Sequence, residues 1–565
     1  MNTGHFNSFD GSEIFYREWN FKASQKSIII IHRGHEHSER LNHIAQSSQF
    51  SEFNIFAFDL RGHGHTKTEN SSVFMDYVRD LDAFAKYIKS KYNVQNTDLF
   101  VIANSIGGVV ASAWAHDFAP NIAGMALLAP AFRINLIVPF ANEMISLGAK
   151  MKKGLIIQSY VKSTMLTHDV SQQQAYDSDA LITRSIDAAL LIDLADAGKR
   201  LVEDAAAIDT PTLILAAEKD KVVFNKDQQI FHDRLDTKLK KFEILPNFFH
   251  GILFEKEKEV VYDKIKEFAS QCFKQPIRKA SLTPDTFSMK EHESLQNNEG
   301  NNLNFKFQKW SLSKIGKVSN GMAIGLKHGF DSGASLHYVY HNTPAGKLGF
   351  GKMMDKNYLE AIGWRGIRIR KQHLLQLLDQ NIENLRKEGR AIKILDVAGG
   401  TGNYLFDIKE KYPDAEIVIN EFVKDNIEIG EKVIQEKGYK NIRFTNFDCF
   451  DPETYKKINF EPNIIIVSGI LELFGDNELA SKALKGISAI AEKNSKVVYT
   501  GQPWHPQLKM IAYVLNSHQK KNWVMRRRSQ KELDRMMAFN NIEKETMLID
   551  DFGIFTVSSA SVNAE

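Results

Sequence analysis

Ser105 lies in FVIANSIGGVVASAWAHD, residues 100–117, where an apolar β-type run meets one serine, two glycines and a run of small helix-forming residues. This is nearly the G-x-S-x-G turn that presents a nucleophilic serine at a strand tip, with Ala103 in place of the first glycine. A serine hydroxyl is a poor nucleophile at neutral pH. It needs a histidine to take its proton and a carboxylate to hold that histidine in the correct tautomer. Histidines and acids suited to the task occur in IIIIHRGHEHSER, DLRGHGHT, AAEKDKVV and NFFHGILFE. A second constellation, LDVAGGTGN at 395–403, places glycines between a strand and a helix, where backbone N–H groups can approach a ligand. Leu405 stands where a G-x-G-x-x-G dinucleotide loop needs its third glycine.

Both constellations are set among alternating elements. The runs KSIIII, NIFAFDL, DLFVIA, AGMALLA, TPTLILAA and KKFEIL are separated by helical patterns, which predicts a parallel sheet covered on both faces. FNSFDGSEIFYREW reads as an antiparallel hairpin on that sheet's edge. Between Ala131 and Ile208 the strand pattern lapses into mostly helical segments, an insertion expected over the carboxyl ends of the strands. Residues 275–304 are polar, without apolar period, and read as a linker. From 305 a Gly- and Tyr-rich lead-in and the helix HLLQLLDQNIENLRKEG precede a second strand series, IKILDVAGG, EIVINEF, NIRFTNFD, NIIIVSG and KVVYTGQ. Two α/β domains follow, at 1–274 and 305–565, with no repeat relating them.

The motifs of the first half resemble the α/β-hydrolase fold, in particular its monoacylglycerol lipase and lysophospholipase branch. The order Ser…Asp…His is the hydrolase order. The resemblance implies Ser105 as nucleophile, His250 as base and Asp220 as orienting acid, with Glu218 a nearby competitor for the last role. It also implies an oxyanion hole made by the backbone N–H groups of Gly34 and Ile106. Residues 131–208 match the family's cap, which shapes an acyl pocket and can lean on a lipid surface. Arg33 stands where the family has a glycine, leaving open whether its side chain enters the acyl pocket. The cluster His32, His35, Glu36 and His37 could suggest a metal, but it directly follows an extended strand rather than lying at helical spacing. His63 and His65 read as structural partners of the DLRGHG turn.

The second half resembles a class I S-adenosylmethionine-dependent methyltransferase with a Rossmann-like fold. Its D-x-G-x-G-x-G pattern is written here Asp396-x-Ala398-x-Gly400-x-Gly402. The resemblance implies that Glu421 binds the ribose hydroxyls, that Asp448 holds the adenine amino group, and that SGILELF from Ser468 lines the methionine end. MLIDDFGIFTVSSASV reads as the closing antiparallel strand pair. Candidate acceptor groups lie in LHYVYHNTPAGKLGFGK, in QPWHP with His505, and in NWVMRRRSQKE, where Arg526, Arg527 and Arg528 could clamp an anion or form a solvated basic turn.

Bulk properties agree with a globular enzyme. The chain has 565 residues, 43% hydrophobic and 25% charged, and a net charge of +3, too small to argue for nucleic acid. Two distant cysteines, no signal-like start and no run near the roughly 18 apolar residues of a membrane span fit a cytoplasmic protein. The whole resembles bacterial fusions of an α/β-hydrolase and a methyltransferase, implying an acyl-ester substrate, S-adenosylmethionine as cofactor, a small-molecule or lipid methyl acceptor, and no obligate protein partner. Two alternatives stand beside it: one half is a scaffold, or both folds serve as non-catalytic platforms at a membrane surface or partner.

Overall fold

The computed structural model describes residues 1–563 apart from 20–24, 68–71, 137–144, 146–147, 149–151, 153 and 277. The chain divides into two compact units, Met1–Arg278 and Lys279–Glu565.

The first unit is built on an eight-stranded sheet. Its strands are β1 (Asn2–Asn7), β2 (Glu13–Trp19), β3 (Ser27–Ile31), β4 (Asn54–Phe58), β5 (Leu99–Asn104) and β6 (Gly124–Leu128). Short strands β7 (Ile156–Gln158) and β8 (Ser185–Asp187) form a separate ribbon, and β9 (Thr212–Ala217) and β10 (Lys240–Leu245) complete the sheet. The order is β1-β2-β4-β3-β5-β6-β9-β10, and β2 alone runs antiparallel to its neighbours β1 and β4, the other pairs being parallel. Every residue of β3, β4, β5 and β6 is buried, the consequence of helices covering both faces of continuous Ile, Val, Leu and Phe runs. The insertion at 131–208, expected to be mostly helical, contains helices Val170–Ser178 and Ala188–Glu203 and also the pair β7–β8, with the first helix between the two strands and the second following β8. Three-residue strands are too short to show a period-2 pattern. Part of the cap lies outside the described residues.

The second unit carries a seven-stranded sheet: β11 (Lys393–Asp396), β12 (Glu416–Asn420), β13 (Ile442–Thr445), β14 (Ile464–Val467), β15 (Lys496–Gly501), β16 (Ile542–Ile549) and β17 (Thr556–Val562). Its order is β13-β12-β11-β14-β15-β17-β16, and β17 runs antiparallel between β15 and β16. The strand order reverses between β11 and β14, which opens a crevice at their carboxyl ends. The lead-in folds into helices Leu303–Ile315, Asn320–His328, Gly333–His341 and Leu348–Leu359, followed by the long helix Ile362–Lys387.

The expected linker at 275–304 is corrected. It contains the helix Thr286–Gln296, whose Ser288 and Leu295 are buried. Asp285 N–H donates to Glu532 Oε2 at 3.0 Å, and Asp285 Oδ1 accepts from Arg535 at 2.7 Å. The segment is anchored by polar bonds, so it lacks the apolar period that would have announced a helix.

Candidate active sites

The tip of β5 forces a sharp reversal into helix Ile106–Asp117, and Ser105 sits on it at φ 54°, ψ −114°. A non-glycine residue holds such a conformation only when its surroundings impose it. The surroundings are close: a side-chain carbon at Gly107 would stand 2.8 Å from the His32 carbonyl oxygen, and one at Gly108 2.8 Å from Pro130. Ala103, by contrast, is an ordinary fully buried strand residue paired with Leu127. Its methyl group is accommodated, so the crowding that requires glycine lies on the helix side.

Three residues from distant parts of the chain meet at this turn. Ser105 Oγ lies 2.9 Å from His250 Nε2, and His250 Nδ1 lies 2.8 Å from Asp220 Oδ2. Asp220 Oδ1 accepts the N–H groups of Val222 and Val223 at 2.8 and 2.9 Å. Burial works against its charge, but the His250 ring and these N–H groups hold the Asp220 carboxyl below its ordinary value. Glu218 is turned away and exposed, with its carboxylate accepting from Asn247 N–H at 2.8 Å. Ser105 and His250 border an apolar cavity of about 230 Å³, together with Gly34, Ile106, Ile157, Leu166, Val222 and Leu191. A second cavity of about 280 Å³ shares Gly34, His35, Ile106 and Ile186 with it.

The polar loop after β3 is structural. His32 Nδ1–H donates to the Arg33 carbonyl at 2.7 Å, and Nε2 accepts from Leu60 N–H at 2.9 Å; burial pushes its pKa down to about 4. Glu36 bonds Arg33 and Arg40, each at 2.7 Å, and His37 pairs with Asp179 at 2.9 Å. Arg33 is buried against the rings of Tyr176 and Phe254, its guanidinium drawn to Glu36 at the cavity wall. His63 Nδ1 bonds the Arg61 carbonyl at 2.9 Å, and Asp59 Oδ2 accepts from His65 N–H at 2.8 Å.

In the second unit the loop after β11 carries Gly400 at φ +58° and Gly402 at φ +78°, and nothing stands within 4 Å of where a Gly400 side chain would be. Gly469, just beyond β14 and half-buried Ser468, has φ +84° and equally open surroundings. The Gly400 and Gly469 backbones therefore border free space at the crevice where the strand order reverses, whereas a side-chain carbon at Gly402 would stand 2.9 Å from Ile419. Glu421 follows β12; Oε2 accepts from Gly400 N–H at 2.9 Å and Oε1 from Val423 N–H at 2.8 Å. Each oxygen retains acceptor capacity for a hydroxyl. The open glycine backbones and this carboxylate fit the ribose and amino-acid portions of a nucleoside sulfonium.

One expectation changes. Asp396 is wholly buried, bonded by the Tyr404 hydroxyl and by Ala398 N–H at 3.2 Å, so it organises the loop instead of facing a ligand. Burial raises its pKa to about 7. Asp448 is exposed three residues past β13, closing a turn onto Phe450 N–H at 2.9 Å. Ala398 packs against the core beneath the loop, which explains why a methyl replaces a glycine there without blocking the crevice.

Arg526, Arg527 and Arg528 are neither an open clamp nor a solvated turn. All three are buried. Arg526 bonds Glu532 at 2.6 Å and Asn477 at 3.0 Å; Arg528 bonds Asn477 at 2.8 Å and the carbonyls of Leu471 and Phe474; Arg527 pairs with Glu291. Burial lowers the Arg528 pKa to about 10. A triple-arginine run carries no sign in sequence that its partners are internal.

Sequence reasoning missed a cavity of about 490 Å³ formed by the lead-in helices, the long helix and the ends of β14 and β15. His505, singled out above, lines it with Gln502 of the same QPWHP segment and Trp523 of NWVMRRRSQKE, and so do Glu472 and Arg370, the last of which nothing in the local pattern distinguished. Glu472 lay inside the SGILELF segment; Arg370 sits on a helix whose amphipathic pattern hides it.

Fold and sites together define an α/β-hydrolase domain followed by a methyltransferase-like Rossmann domain. Residues 265–562 match the family described as "Putative methyltransferase", and residues 22–257 match the family described as "Serine aminopeptidase, S33". The chain belongs to the first family, whose match spans more than half its length. It is 37% identical over 569 residues, 98% of this chain and 97% of the relative, to the Escherichia coli K12 protein named "Uncharacterized protein YnbC". Its first half is 21% identical over 268 residues to the monoacylglycerol lipase of Mycolicibacterium smegmatis, covering 46% of this chain and 94% of that protein. Human monoglyceride lipase is 25% identical over 278 residues, covering 47% and 90%. Among solved structures, Paleococcus ferrophilus monoacylglycerol lipase aligns with TM-score 0.42 and 19% identity over 46% of this chain and 99% of that one.

Proposed function

We propose that the chain is a bifunctional enzyme: a serine hydrolase of apolar acyl esters joined to an S-adenosylmethionine-dependent methyltransferase. The observation that carries the first half is the relay Ser105–His250–Asp220 bordering an apolar cavity. His250 Nε2 takes the Ser105 proton as Oγ attacks the ester carbonyl, and Asp220 holds Nδ1–H and stabilises the imidazolium that forms. Gly34 and Ile106 N–H groups receive the developing oxyanion. Departure of the alcohol with the proton from His250 leaves an acyl-serine, which water hydrolyses by the same relay in reverse. The two adjoining cavities divide the acyl and alcohol portions of the substrate between them. The lipase relatives favour an ester over a peptide bond.

In the second half, Gly400, Gly402, Glu421 and Ser468 would hold S-adenosylmethionine, whose sulfonium supplies an electrophilic methyl group. The protein's part is to place an acceptor in line and exclude water.

A fluorophosphonate probe should label the full-length protein at Ser105 and not the Ser105→Ala variant, and hydrolysis of p-nitrophenyl esters should fall about a thousandfold or more in that variant. Labelling that survives Ser105→Ala, or faster cleavage of aminoacyl-anilides than of esters, would overturn the ester-hydrolase reading. Calorimetric binding of S-adenosylmethionine, weakened in Glu421→Ala, tests the second half.

A further inference from the structure

The large cavity of the second unit is apolar over most of its wall, with Ile367, Trp364, Phe330, Ile511, Val514 and Phe555 among its lining residues. Its polar groups are few and buried: Glu472 is 5% exposed, Gln502 4%, His505 7% and Arg370 8%. Two of them hold an atom sealed from water that has no hydrogen-bond partner, Glu472 Oε2 and Gln502 Nε2. Trp523 Nε1, on the same wall, is a third. Leaving a buried donor or acceptor unpaired is costly, and natural cores contain few such groups. Three in one cavity indicate that something else completes them.

The arrangement also states what that ligand offers. Glu472 Oε1 lies 3.5 Å from Arg370 Nη1, so the pair is close to neutral, and Oε2 is the oxygen without a partner. His505 Nδ1 accepts from Gln507 N–H at 3.0 Å, which leaves the proton of the neutral ring on Nε2 as a donor. Burial keeps that ring neutral, with a pKa pushed down to about 4. Beside the Arg370 guanidinium, the wall thus presents one carboxylate oxygen without a partner and the N–H groups of Gln502, Trp523 and His505. A carboxylate ligand has no proton to donate to Glu472 Oε2, and an ammonium ligand has no lone pair for the donors. A hydroxyl satisfies both kinds: it donates to Glu472 and accepts from Gln502 or His505.

Resting on the methyltransferase reading, we propose that this cavity binds the methyl acceptor, and that the acceptor is an apolar alcohol or phenol whose hydroxyl is held by Glu472, Gln502 and His505. Gly469, at the crevice beyond β14, is part of the cavity wall, which connects the acceptor pocket to the cofactor crevice. Methylation of that oxygen forms one O–C bond, breaks the S–C bond of the sulfonium donor and releases the hydroxyl proton. Glu472 Oε2 receives it, so the positive charge lost from the sulfonium is balanced by the Arg370 guanidinium, whose carboxylate partner is now protonated.

The test uses the full-length protein with 1-decanol, decanoic acid and decylamine, read by quenching of tryptophan fluorescence, since Trp364 and Trp523 line the cavity. Decanol should quench saturably and bind about tenfold or more tighter than the acid or the amine, the worth of one buried hydrogen bond to a charged group. Gly363→Ala places a methyl about 3.0 Å from His505 Nε2 and should weaken decanol binding while leaving the thermal melt unchanged. With labelled S-adenosylmethionine, Glu472→Gln should retain decanol binding and lose label transfer to it. Tighter binding of the acid or amine, an unaltered decanol affinity in Gly363→Ala, or no quenching by any of the three overturns the proposal. Calorimetry with S-adenosylmethionine alone separates the two readings. If the cofactor binds and decanol does not, the alcohol pocket falls; if decanol binds and the cofactor does not, the methyltransferase reading falls.

Discussion

At the scale of single residues, the question of Ala103 is answered by where the crowding lies. Gly107 and Gly108 face the His32 carbonyl and Pro130, whereas Ala103 sits in an ordinary strand position. Gly107→Ala should therefore destabilise the first unit by about 1–3 kcal/mol by overpacking, while Ala103→Gly should leave ester hydrolysis unchanged; thermal melts and p-nitrophenyl ester assays check both. The two acids after β9 are separated as cleanly. Asp220 bonds the histidine and Glu218 bonds a backbone N–H across the turn. Asp220→Asn should lower kcat by about three to four orders of magnitude, and Glu218→Gln should not change it; equal losses in both variants would refute the assignment.

At the scale of elements, the segment 279–296 and the run Arg526–Arg528 stabilise one another. Arg526 joins Glu532, Asn477 and Ser288, and Asp285 joins Glu532 and Arg535. Removing one member of such a network strands a buried charge. Glu532→Gln should cost about 3–5 kcal/mol and open residues 279–300 to limited proteolysis. The glycine loop shows the opposite dependence on charge. Asp396 titrates near 7 in the fold and near 3.8 unfolded, so the folded state holds a proton that the unfolded chain has lost between these values. Its contribution to stability is full below the unfolded value and is lost as pH rises through about 7. Asp396→Asn removes that penalty, so the variant's melting temperature relative to the parent should climb between about pH 4 and 7 and then level off. A constant difference across that range would show that Asp396 is not the titrating group.

At the scale of the whole molecule, two compact units each have a complete sheet and their own candidate site. The described residues named at each site come from one unit. Ser105→Ala should thus retain S-adenosylmethionine binding, and Glu421→Ala should retain ester hydrolysis, measured on one preparation of each. The sequence by itself determined the series of sheet strands along the chain, the nucleophile turn, the glycine loop and the presence of two α/β units, because each is written in contiguous residues through periodicity or close-packed glycines. What it left open was every pairing between distant side chains. That Asp220 and not Glu218 reaches His250, that three arginines turn inward, that a polar stretch is a tethered helix, and that Glu472, Gln502 and His505 share one cavity were decided only by tertiary structure. Those contacts join residues far apart in the chain, and whether a polar group faces water or a buried partner depends on what folds against it.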